Sequence, residues 1–228
     1  MGKCLFVTGT GTDVGKTYVT GLIVKSLRDA GMSAGYYKAA VSGATMDETG
    51  RLCPDDAAYV DSLAGLHAPM EKLVSFVYPD AVSPHLAAKL SHVPLGMEKV
   101  QRDFYEARDS YDYLTVEGSG GIVCPLRWDA VEHIGLDDLV RWMGIPVLVV
   151  AGSGLGTINA TVLTVEHLHH CHIPVRGIVL NRFHKENVME QDNLRMVEEM
   201  TSVPVLATVC DGAQTLDMDI KTLSGLYD

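Results

Sequence analysis

The 228 residues carry 18 Lys and Arg against 29 Asp and Glu, a net charge of −11, and 47% of them are hydrophobic. That balance excludes a disordered chain, and its acidic field disfavours duplex nucleic acid and anionic membranes as partners. The length predicts one α/β domain over residues 1–228 rather than two.

The opening MGKCLFVTG runs straight into a strand-like segment, without the basic region and long apolar stretch of a secretory leader. No apolar run is long enough to span a bilayer. The five cysteines are scattered, odd in number and never spaced C-x-x-C. They read as reduced thiols of a cytoplasmic protein rather than a disulfide framework.

In chain order, CLFVTG predicts a first strand, and the segment from Gly15 to Ala30 a helix ended by Gly31. Ser33 to Ala39 predicts a second strand, followed by helices over Asp55–Ala64, Ser83–Ser91 and Met97–Arg108. YDYLTVEG, IPVLVVAG, PVRGIVLN and VPVLATV are further buried-strand segments. The last three start at or beside a proline, which suits the first position of a strand. β-Branched runs alternating with helices imply an α/β fold, a doubly wound, mostly parallel sheet with helices on both faces. Its site is expected at the carboxyl ends of the strands. The residues after Cys210 give no clear pattern.

The strongest local signal is VTGTGTDVGKT, Val7 to Thr17, between the first strand and the first helix. Glycines there turn the backbone so that its N–H groups face phosphate oxygens, and the helix N-terminus adds partial positive charge. Lys16 is expected on the β/γ-phosphates and the Thr17 hydroxyl on Mg2+, as in P-loop NTPases. Residues 10 to 14 separate Gly9 from Gly15, one more than the usual loop has. Glu117 ends a buried strand and precedes Gly118, Ser119, Gly120 and Gly121. A carboxylate there suits a hard cation on the nucleotide, although the run also reads as a glycine-rich turn. Lys38, standing alone, reads more readily as a solvated surface lysine. Asp55 and Asp56 at a helix start also suit the helix dipole.

Together these motifs resemble the ATP-dependent dethiobiotin synthetase family, from about Val7 to Asn181. The phosphate loop matches, including Asp13 before Val14, Gly15, Lys16 and Thr17. Gly11 stands where related partitioning ATPases carry a signature lysine. YYKAAVSG supplies the family's lysine and serine as Lys38 and Ser42, with Ala39 in place of a proline. The family's magnesium-binding aspartate falls on Asp56, and its EGAGG segment on Glu117 to Gly121. Ser83 to His85 recurs in the family, with His85 either facing substrate or buried.

The resemblance implies ATP as co-substrate and Mg2+ held by Thr17, Asp56 and Glu117. It implies further nucleotide contacts from Asp13, Val14, Gly15, Tyr18, Gly118, Ser119 and Gly120, with Asn181 and Arg182 at the base. Substrate contacts are implied for Lys38, Ser42 and Gly121, and for Leu155, Gly156 and Asn159 in SGLGTINAT, partly across a homodimer interface. The implied reaction closes a cyclic urea on 7,8-diaminononanoate with CO2, with Lys38 and Lys16 catalytic. Cys210 stands where the family has proline, which weakens its base contacts over Val209–Gly212.

Two rivals are a related ATP-dependent ligase, such as a cobyrinate amide synthase, and a nucleotide-binding sensor. The first normally adds a glutaminase domain, and the second would be expected to lose the lysines and Glu117. HLHHCH puts His167 and Cys171 on one helix face. Zinc uses such ligands, but histidines at a helix end also suit its dipole, and the role of His167–His172 is left open.

Overall fold

The computed structural model describes residues 1–48 and 50–228. The chain runs β1 (Lys3–Gly9), α1 (Lys16–Asp29) and β2 (Ala34–Ser42), then two short paired strands, β3 (Thr45–Met46) and β4 (Leu52–Cys53). It continues through α2 (Asp55–Ala64), α3 (Met70–Leu73), β5 (Val74–Tyr78), α4 (Pro84–Leu90), α5 (Met97–Ser110) and β6 (Tyr113–Gly121). A small antiparallel pair, β7 (Pro125–Trp128) and β8 (His133–Gly135), leads into α6 (Leu136–Met143). The last elements are β9 (Val147–Gly152), α7 (Thr157–His170), β10 (Val175–Asn181), α8 (Val188–Thr201), β11 (Val205–Val209) and α9 (Ile220–Ser224).

Seven strands form one parallel sheet in the order β11-β10-β9-β1-β6-β2-β5. Its central strands are continuously apolar because both faces are covered. In β1, Leu5 and Val7 belong to one core with Leu22 and Ile23 of α1, while Phe6 joins the other with Phe104 of α5 and Val140 of α6. That alternation is the two-residue period of a strand read against two layers of helix. The expected doubly wound α/β class is therefore the observed one.

Sequence and structure part in two places. β2 runs to Ser42, three residues beyond the expected end, because it pairs with β5, an edge strand not anticipated. The unread segment after Cys210 forms α9 and returns to β1. There Tyr227 is fully buried with its hydroxyl 2.7 Å from Thr115 Oγ1, and the Cys4 amide donates to the Asp228 carbonyl at 2.6 Å.

Candidate active site

The carboxyl ends of β1, β2 and β6 open into a cavity of about 750 Å3, within the size range of small-molecule sites. Each central strand delivers one element of it. β1 ends at Gly9, where an added Cβ would lie 2.8 Å from Val14 and 2.9 Å from Lys16, so only glycine lets the loop fold back. The loop closes at Gly15, which is left-handed at φ 90° and starts α1. Its missing side chain makes room for the Asn181 amide, which would stand 2.0 Å from a Cβ there. Asn181 Nδ2 donates to the Val14 carbonyl at 3.0 Å, so the end of β10 pins the loop. Asp13 is also left-handed, at φ 60°.

Lys16 is nearly buried and donates from Nζ to the Gly11 carbonyl at 2.9 Å. Beside it, Lys38 of β2 lies directly opposite Glu117 of β6 in the strand ladder. Its ammonium is 2.8 Å from Glu117 Oε1 and 2.5 Å from Asp56 Oδ2. Lys38 and Glu117 are only 4% and 2% exposed, so this is a desolvated ion pair, held by register rather than by flexible surface chains. Burial draws the Lys38 ammonium toward a lower pKa, but Glu117 and then Asp56 outweigh it and leave the pKa raised. Lys16 moves the other way: burial, and then repulsion from Lys38, lower its pKa. For Asp56, burial is opposed by the Lys38 charge and by hydrogen bonds from Lys38 and Thr17, and the carboxyl is held below its ordinary value. Two cations thus converge beside the amino end of α1 in a chain that is acidic as a whole.

Thr17 Oγ1 lies 2.7 Å from Glu117 Oε1 and 3.0 Å from Asp56 Oδ1. Three oxygen donors from α1, α2 and β6 therefore meet at one point, the donor set that a hard divalent cation such as Mg2+ takes. Asp55 also lines the cavity, but its carboxylate accepts from Thr45 Oγ1 at 2.9 Å rather than from Thr17.

The sequence reading missed Tyr36. Two residues before Lys38, and so on the same face of β2, it is fully buried and donates to Glu117 Oε2 at 3.0 Å. Glu117 thereby has both oxygens engaged. Tyr59 of α2 and Val41 of β2 also line the cavity and were not anticipated.

Of the expected residues, Asp13, Gly15, Lys16, Thr17, Tyr18, Lys38, Ser42, Asp56, Glu117, Ser119, Gly120 and Arg182 line the cavity. Ser119 Oγ also donates to the Ala40 carbonyl at 2.7 Å, and the Tyr18 hydroxyl donates to the Ala213 carbonyl. Gly118 has a packing reason to be glycine: a Cβ would lie 2.9 Å from Phe6. Gly121 sits against Gly9 and Gly11 of the loop. Val14 and Asn181 do not line the cavity but are joined to each other beneath it. Leu155, Gly156 and Asn159 lie outside it, all exposed, with Leu155 at 93%. His85 lines a different, smaller cavity with Arg127 and Trp128, its ring 3.0 Å from Ser83 Oγ.

A parallel sheet with a glycine loop running into a lysine-threonine helix start, facing a strand-end carboxylate, defines a P-loop nucleotide-dependent enzyme. A family model described as an AAA domain matches residues 3–215. Solved structures share the fold: the cell division ATPase MinD of Pyrococcus furiosus at TM-score 0.56 and 18% identity, over 92% of this chain and 84% of that one. The chloroplast FtsY of Physcomitrella patens matches at TM-score 0.54 and 16% identity, over 100% and 66%. The chain belongs to the ATP-dependent dethiobiotin synthetase family. It is 44% identical to the ATP-dependent dethiobiotin synthetase BioD of Clostridium botulinum, over 100% of this chain and 99% of that protein. To the enzyme of the same name from Brachyspira hyodysenteriae it is 45% identical, over 100% of both.

Proposed function

We propose that this single-domain chain closes a cyclic urea on 7,8-diaminononanoate with CO2 and ATP, yielding dethiobiotin, ADP and phosphate. The observation that carries the reading is the buried Lys38–Glu117–Asp56–Thr17 cluster at the mouth of the phosphate loop. A cation beside a set of hard oxygen donors at the end of the phosphate loop supports this reading, because both suit a triphosphate.

The reaction has three steps. One amine of the substrate attacks CO2, forming an N–C bond and losing a proton, to give a carbamate. A carbamate oxygen then attacks the γ-phosphorus, and the bond to the β-phosphate oxygen breaks with its electrons leaving on ADP. Finally the second amine attacks the carbamoyl carbon, phosphate departs, the amine loses a proton and the ring closes.

Lys16 and the loop amides hold the β- and γ-phosphates, and Tyr18, Ser119 and Gly120 border the nucleotide. Lys38, kept protonated by its two carboxylates, neutralises the carbamate and the phosphoryl group in transfer, and Ser42 donates to the carbamate. Mg2+ would be held by Thr17, Asp56 and Glu117, and when bound it supplies charge neutralisation of the triphosphate. No protein nucleophile is needed, because positioning and electrostatics carry phosphoryl transfer. Asn181 and Arg182 attend the base. Leu155, Gly156 and Asn159 act on the substrate bound to a second copy of the chain, in a cytoplasmic homodimer.

The test is phosphate release from Mg2+-ATP and bicarbonate, with and without 7,8-diaminononanoate. Release that requires the diamine, with dethiobiotin in the products, is the expected result. Release indifferent to the diamine would overturn the substrate assignment, and no release would overturn the enzymatic one.

A further inference from the structure

The last turn of α7 and the first turn of α6 bring together three side chains that the phosphate-loop chemistry does not use. Asp137 Oδ2, His167 Nε2 and Cys171 Sγ all lie within 4.8 Å of one another, the one such His, Cys, Asp or Glu group found among the described residues. None of the three lines the nucleotide cavity. Helix spacing explains half of the cluster, since His167 and Cys171, four residues apart, share one face. Tertiary packing explains the rest, by bringing a carboxylate from α6, thirty residues earlier, onto that face.

The separations are His167–Asp137 3.1 Å, Cys171–His167 3.5 Å and Cys171–Asp137 3.7 Å. A tetrahedral ion with metal–sulfur bonds of about 2.3 Å and metal–nitrogen or metal–oxygen bonds of about 2.0–2.1 Å sets sulfur edges near 3.6 Å and a nitrogen–oxygen edge near 3.3 Å. The three donors therefore already stand close to three corners of one tetrahedron. The other Asp137 oxygen lies close to Gly135, 2.4 Å from where a Cβ would be, so a larger residue there would press on this carboxylate.

We propose that Asp137, His167 and Cys171 form a site for a zinc-class divalent ion, separate from the Mg2+ of the nucleotide. A thiolate, an imidazole and one carboxylate are the ligand types of zinc rather than of magnesium, which takes oxygen alone. All three residues are half-buried, so water completes the fourth position. The ion staples α6 to α7, whose other end carries the exposed Leu155–Asn159 segment. Binding deprotonates the Cys171 thiol and releases that proton to solvent.

The experiment titrates the full-length, chelator-treated chain with Co2+ and then Zn2+, in the absence of nucleotide. The expected result is one equivalent of Co2+ giving a thiolate-to-cobalt charge-transfer band with tetrahedral ligand-field bands, both abolished by Zn2+. Cys171→Ser should remove the charge-transfer band, and His167→Ala should weaken Zn2+ more than about 100-fold, beyond the loss of an outer hydrogen-bond partner. Zn2+ at a hundredfold excess over its Kd should raise Tm by roughly 5–10 °C in the parent chain and not in His167→Ala. Absence of the charge-transfer band, or its persistence in Cys171→Ser, would overturn the site; persistence would point to one of the other four cysteines. Binding at the exposed histidines 169, 170 and 172 alone gives no thiolate band, and that outcome would also overturn it.

Discussion

At the scale of single residues, the site rests on a buried lysine whose charge is fixed by strand register. Lys38→Ala removes the cation proposed to offset charge on the transferred phosphoryl group, so kcat should fall by about 10²–10³. Lys16 and the loop amides remain, and the Kd for ATP should change only a few-fold. Steady-state kinetics beside equilibrium nucleotide binding check this, and equal loss in both would refute the assigned role. Tyr36→Phe deletes one hydroxyl, the donor to the buried Glu117 Oε2. A hydrogen bond to a buried charge carries about 1.5–3 kcal/mol. The unfolding free energy should fall by that much, seen as a lower urea midpoint with the slope unchanged, since no further surface is exposed. Glu117 was readable because a carboxylate ending an apolar run before a glycine-rich turn stands out, and Lys38 because its motif resembles that of a known family. Tyr36 was not, because a tyrosine within a buried run looks like core until its hydroxyl is seen to meet a carboxylate.

At the scale of elements, one buried carboxylate joins two loops beyond the cavity to a helix start. Glu190 in the first turn of α8 accepts from Ser153 Oγ at 2.9 Å, the His184 amide at 2.6 Å, His184 Nδ1 at 3.1 Å and Asn187 Nδ2 at 3.0 Å. Ser153 Oγ also lies 2.7 Å from the carbonyl of Arg182, and Asn193 Nδ2 donates to the Ser153 carbonyl at 2.8 Å. One carboxylate thus ties the β9–α7 loop and the β10–α8 loop to a helix start. Burial would raise the Glu190 pKa, but these donors outweigh it and hold the pKa below the ordinary 4.5. A depressed carboxylate contributes stability that is full above about pH 4.5 and is lost as pH falls through the folded-state value. Glu190→Gln should flatten that acid limb of the stability curve, and lower stability near pH 7 by about 1–3 kcal/mol by mismatching its buried donors. Denaturation midpoints from pH 3 to pH 7 compare the two chains; parallel curves would exclude Glu190 as the source.

At the scale of the whole molecule, Leu155, Gly156 and Asn159, proposed to act on substrate in a second copy, are exposed outside the cavity. Leu155 is 93% exposed at the end of the loop before α7, and Asn159 follows on the first turn of that helix. An exposed leucine there fits burial in a second copy. Leu155→Asp should lower activity at least about tenfold and shift sedimentation toward the monomer, leaving Tm nearly unchanged, because a surface position carries little folding energy. A variant that remains dimeric and active would exclude this segment from the interface.

What the sequence by itself determined follows from local physics. Periodicity specified the alternation of buried strands and helices, and the loop from Gly9 to Thr17 specified a phosphate site, because glycine conformations, a helix terminus and one lysine act within a few residues of each other. Lys38 and Asp56 were legible only through the resemblance to a family, and Glu117 through its strand-end position before the glycines. Only the tertiary structure decided that these three and Thr17 meet at one point. It also decided that β2 pairs with an unforeseen edge strand, that the tail returns to β1, and that Asp137 reaches His167 and Cys171. Each of those contacts joins residues distant in the chain, and their distances are set by strand order and register, which depend on how whole layers pack rather than on any local signal.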